Sequence, residues 1–122
     1  MLNLPDMTTL RAAIEHEQRP DLKRLLEERL GDTIHSGLEE NTHVLVVEAD
    51  DTEEQIVEAV GFSPLRTRID NLPGSDWDWL ERHAGWFELL YCVGDSGFAY
   101  FLLVEDSDRS PLAELCRREA GR

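Results

Sequence analysis

Four histidines, two cysteines and a carboxylate set among aromatic residues are the groups in this chain with the chemistry to bind or react. His16-Glu17 opens like a zinc-binding helical motif, yet the position due to hold the second histidine is Pro20, and His35, His43 and His83 supply no paired spacing. Asp50-Asp51-Thr52-Glu53-Glu54 lacks the alternating ligands and central glycine of a calcium loop. The sequence therefore predicts neither a metal site nor a cofactor. Cys92 lies in an apolar run and Cys116 on an apolar helix face, so packing accounts for both. Ser96, between Asp95 and Gly97, has no nucleophile elbow around it, and Gly94 and Gly97 are spaced for a turn rather than for a phosphate loop.

Glu88 is the exception among the carboxylates. It interrupts Trp86-Phe87-Glu88-Leu89-Leu90-Tyr91, where an ionised side chain is costly unless paired. One reading is a small enzyme or ligand-binding domain centred on Glu88, His83 and Asp95. The favoured reading is structural, either a salt bridge to Arg66 or Arg68 on a neighbouring strand or a solvent-facing edge position.

Charge carries the stronger signal. The formal net charge is -14, and residues 37–61 hold eight acids and no Lys or Arg. Such a field repels nucleic acid and anionic membrane and attracts basic surfaces. The expected function is a non-enzymatic interaction protein, of inhibitor, immunity or DNA-mimic type, binding a basic protein partner. Its contact residues would be Glu39, Glu40, Asp50, Asp51, Glu54, Glu58 and Trp79. Direct binding to nucleic acid or membrane is not expected. The same acidity, with one lysine against eleven arginines, also suits salt adaptation or a GC-rich genome.

These groups must be positioned by elements that can be read from periodicity and turn chemistry. Leu10, Ala13 and Ile14 show helical spacing after Thr8-Thr9, and Pro20 ends that pattern. A second helix is predicted over residues 21–30, with Asp21 as N-cap and Gly31 as C-cap, followed by a linker over 31–42. The leucine stripe on these helices needs cover, so they dock on the core or form a homodimer. Residues 43–49 read as a strand buried on both faces. Thr52 and Gln55 form a capping box for a helix that Gly61 ends. Residues 65–70 alternate as an edge strand, and a helix is predicted over 75–84, opened by Ser75 and Asp78. On that helix Trp77 and Trp79 lie about 160° apart, so one indole faces away from the core stripe. Residues 86–93 and 98–105 form a hairpin in mid-sheet, and Ser110-Pro111 starts a last helix.

The run Trp79-Leu80-Glu81-Arg82-His83-Ala84-Gly85-Trp86-Phe87-Glu88-Leu89, with the Gly94-Asp95-Ser96-Gly97-Phe98 turn, resembles small acidic proteins of unassigned function carried by bacterial plasmids and integrating conjugative elements. The resemblance covers residues 44–104 and implies a bacterial cytosol and a role in mobile-element biology; it carries no catalytic residue. The absence of a basic leader or an apolar span also points to the cytoplasm. The expected fold is α+β, with a mixed or antiparallel sheet of about four strands flanked by helices. Residues 1–36 would form an N-terminal helical segment and 37–122 the α+β core of a single domain.

Overall fold

The computed structural model describes residues 1–64, 79–93 and 98–120. Among these residues nine elements follow in order: β1 Leu2–Leu4, α1 Met7–His16, α2 Pro20–His35, β2 Thr42–Val47, α3 Glu53–Val60, β3 Trp79–His83, β4 Trp86–Val93, β5 Phe98–Glu105 and α4 Pro111–Ala120. The fold is α+β. The strands form one mixed sheet in the order β1-β2-β5-β4-β3, with β2 and β5 parallel and the other pairs antiparallel.

Helices cover both faces of the sheet. Leu10 of α1 and Leu22, Leu25 and Leu26 of α2 pack on Val44, Val46, Phe101, Leu103 and Trp86. On the other face Ile56 and Val60 of α3 and Leu112, Ala113 and Cys116 of α4 pack on Leu45, Val47, Leu89, Leu102 and Phe87. All six residues of β2 are buried, with the apolar run Val44-Leu45-Val46-Val47 lying between two helical layers. Each such Val or Leu contributes about 1.5–3 kcal/mol on removal from water. The leucine stripe of the N-terminal helices is thus covered within the chain.

Local chemistry explains most boundaries. Asp6 caps α1, its carboxylate accepting from the Thr9 amide in a reciprocal capping box. Thr52 and Gln55 do the same for α3, and Gly61, at φ 85°, closes that helix in the left-handed conformation that a side chain disfavours. The second helix departs from expectation. Pro20 starts it rather than only ending the first, because a first-turn proline lacks an N–H that the helix would leave unpaired anyway. Asp21 therefore lies inside the first turn, and Arg19 is the N-cap, with no side-chain hydrogen bond. The helix also runs through Gly31 to His35. Its C-cap is Ser36, followed by Gly37 at φ 72°, and the Gly37 and Leu38 amides bond back to Ile34 and Thr33. Five of the twelve residues expected as linker, 31–35, are helix.

Two strands differ from expectation. Leu2–Leu4 pairs with β2 as an edge strand that only three residues before Pro5 define. Residues 79–83, expected in a helix, form β3, which pairs with β4 through an Ala84-Gly85 turn with Gly85 at φ 83°. The expected edge strand over 65–70, and the part of the expected helix that holds Trp77, lie outside the described residues. Among the described residues no helix is long and apolar enough to cross a membrane.

Candidate functional site: a charged cluster on the outer hairpin

The turn at Ala84-Gly85 fixes a register in which Glu81 stands directly opposite Glu88 and His83 opposite Trp86. Because strand side chains alternate, Glu81, His83 and Glu88 all project from the face that α1 and α2 cover. One ligand atom from each lies within 4.8 Å of the others. Glu88 is 3 % exposed, and its Oε1 accepts a hydrogen bond of 3.0 Å from Nη2 of Arg29, which reaches over from α2. The Arg29 guanidinium also stacks over the Phe101 ring, 3.9 Å from its centroid, and lies 3.9 Å from Asp32. His83 Nε2 is 3.9 Å from Glu88 Oε1, beyond hydrogen-bond reach, and it is shut off from solvent without a hydrogen-bond partner.

Glu88 is buried and ion-paired with Arg29, so it does not take the solvent-facing position that was one of the two structural readings. The charge comes from α2, fifty-nine residues away in sequence, while Arg66 and Arg68 lie outside the described residues. His83 does join Glu88; Asp95 lies outside the described residues. Arg29 and Glu81 were missed. The alternation of residues 79–83 was the available signal for Glu81, since a two-residue turn alone sets it opposite Glu88. No local signal marks Arg29.

The acidic residues divide into separate groups. Glu39 and Glu40 precede β2, whereas Asp50, Asp51, Glu54 and Glu58 follow it, across a six-residue strand that spans roughly 20 Å. Several acids at that end of β2 are satisfied internally. Glu48 pairs with the Met1 ammonium at 2.7 Å and with Arg19 at 3.1 Å. The ammonium hydrogen bond, opposed by burial, holds the Glu48 carboxyl below its ordinary pKa. Asp51 lies 3.1 Å from the same ammonium and accepts from the Glu48 amide. Glu53 accepts from the Ser63 hydroxyl, and Asp50 pairs with Arg109 at 2.9 Å across an exposed gap. Asp50 and Arg109 both line a cleft of about 410 Å³ between the starts of α3 and α4, beyond the carboxyl ends of β2 and β5. Glu54 and Glu58 are exposed and make no ion pair among the described residues. Between them on α3 stands Val57, 38 % exposed. Trp79 belongs to β3 rather than to a helix face.

No family model, no curated protein and no solved structure matches the chain. Function must therefore be argued from these groups. Two further polar groups are explained by the fold. His43 donates from Nε2 to Asn3 Oδ1 at 2.5 Å and packs beside Tyr100, and burial lowers its pKa. Burial pushes the Cys116 thiol up to about 12, which leaves it a packing group.

Proposed function

We propose that the protein is a non-catalytic interaction module in which α3 and the adjoining cleft receive a basic protein partner. The observation that carries this reading is the outer face of α3. Glu54 and Glu58 are exposed without ion pairs among the described residues, and they flank Val57, one of the two large apolar side chains that stand exposed among the described residues. An apolar centre within a charged rim is the arrangement that interfaces use, the rim steering encounter and the centre excluding water. The cleft extends the same surface. Asp50, Asp51 and Glu53 line it with Arg109 as the one described cationic side chain in its wall, so a cationic side chain of the partner would enter by displacing Arg109 from Asp50. Glu39 and Glu40 would serve only long-range steering, because the length of β2 separates them from this surface.

Titration with an oligo-arginine peptide at low and physiological salt tests the reading. The Glu54→Gln/Glu58→Gln pair and Val57→Ser should each weaken binding, whereas Glu15→Gln/Glu27→Gln, exposed acids on α1 and α2, should not. Equal losses for the two charge pairs would mean that only bulk charge matters, and the proposed surface would be wrong.

A further inference from the structure

We propose that Glu81, His83 and Glu88 form a three-ligand site for a divalent transition-metal ion of the zinc class. The site lies on the opposite face of the sheet from α3 and does not depend on the interaction surface.

Three observations converge on it. First, like charges directly opposite on antiparallel strands destabilise the pair, and the register places Glu81 opposite Glu88. Arg29 balances one of the two carboxylates, and no described Lys or Arg pairs with Glu81. A cation between them would remove the remaining repulsion. Second, His83 Nε2 is a solvent-excluded polar atom without a hydrogen bond. Such an atom costs about 1–3 kcal/mol, and metal ligation would satisfy an imidazole nitrogen that has no hydrogen-bond partner. Third, the three ligand atoms already converge within 4.8 Å. Around a tetrahedral zinc ion they would be about 3.4 Å apart. Glu81 is exposed on the edge strand β3 and is free to swing inward by the difference.

The donor set selects the ion. One imidazole nitrogen with two carboxylate oxygens suits zinc and its neighbours, whereas calcium and magnesium take all-oxygen shells. Three protein ligands leave a fourth position for water or a ligand from solution, unlike a closed structural site. Arg29 has a defined role in this arrangement. By hydrogen-bonding Glu88 Oε1 it orients the carboxylate, as second-shell groups do in metal sites.

The test uses the full chain, stripped with a chelator and titrated with zinc by calorimetry and by competition against a chromogenic chelator. Wild type should take up one tight equivalent. His83→Ala and Glu81→Gln should each weaken it by at least the roughly 10- to 100-fold that loss of a second-shell partner costs. His16→Ala/His35→Ala, which removes two exposed imidazoles, should leave it unchanged. Glu88→Gln disturbs a buried ion pair and is not needed; His83 and Glu81 lie on the edge strand, where substitution spares the core. The proposal is overturned if wild type shows no tight equivalent, if His83→Ala and Glu81→Gln bind as wild type does, or if the exposed-histidine pair abolishes uptake.

Discussion

Replacing Arg29 with Met leaves the buried carboxylate of Glu88 without its cationic partner. The two residues are 9 % and 3 % exposed and 3.0 Å apart, so neither charge has water to fall back on. Removing one partner from such a pair costs about 3–5 kcal/mol, a large share of the roughly 5–15 kcal/mol that hold a domain folded. The two single variants should differ. In Arg29→Met, Glu88 keeps only a histidine 3.9 Å away and faces Glu81 across the strands, which puts the cost near about 5 kcal/mol. In Glu88→Met, Arg29 retains Asp32 at 3.9 Å and the Phe101 ring, so the cost falls nearer about 3 kcal/mol. The double variant replaces a charged pair with two flexible apolar side chains and should return to within about 1 kcal/mol of wild type, or exceed it. The assay is urea unfolding with a chelator present, reading midpoints at unchanged m-value. Two results would refute the reasoning: single variants that each cost under about 1 kcal/mol, as an exposed pair would, or a double variant that costs the sum of the singles.

Other outcomes follow from single features of the fold. Thr52→Ala removes the α3 cap and its reciprocal bond with Gln55, so it should cost about 1 kcal/mol in urea unfolding. Glu58→Gln should leave stability unchanged or raise it by about 0.2–0.5 kcal/mol, because Glu58 repels Glu54 one turn earlier on a helix with no basic residue in its last turn. Burial lowers the His43 pKa from 6.5, so the unfolded chain binds that proton more readily than the folded one. Its contribution is complete above pH 6.5 and is lost as pH falls from 6.5 through the folded pKa, by at most about 1.4 kcal/mol per pH unit. Unfolding midpoints measured across that window should flatten in His43→Gln.

How far the sequence could be read depended on whether a signal was local. The Thr52 capping box, the buried β2 run and the hairpin of β4 and β5 each rest on residues near one another in sequence, and each is present. The layer order followed from them. Pro20 misled because the residue that ends one helix is equally suited to begin the next, and only the packing of Leu22, Leu25 and Leu26 decides that it does. Residues 79–83 misled for a related reason. Ser75, Asp78 and Gly85 imitate helix punctuation, while the hydrogen bonds that make β3 a strand come from β4. That error hid the charged cluster, since on a helix Glu81 and His83 point to different sides, whereas on a strand they share a face. Arg29 was out of reach altogether, because its pairing with Glu88 depends on how α2 crosses the sheet.

The separation of the two surfaces yields a last prediction, that zinc and a basic partner bind independently. Glu81 and Glu88 belong to β3 and β4 on the α1/α2 face, while α3 packs on the opposite face beside β2. In the order β2-β5-β4-β3, three strand spacings separate β2 from β3, about 14 Å, and the helix layer adds roughly 10 Å on the far side of the sheet. At about 17 Å a pair of unit charges interacts by roughly 0.2 kcal/mol in water, and two Debye lengths of salt remove most of that. Saturating zinc should therefore change the affinity for oligo-arginine by less than about twofold, and by reciprocity the peptide should leave zinc affinity as it was. A tenfold change in either direction would contradict this geometry. Competition would place the cationic peptide at Glu81 on the outer hairpin rather than on α3, and the Glu81→Gln variant would then lose both ligands together.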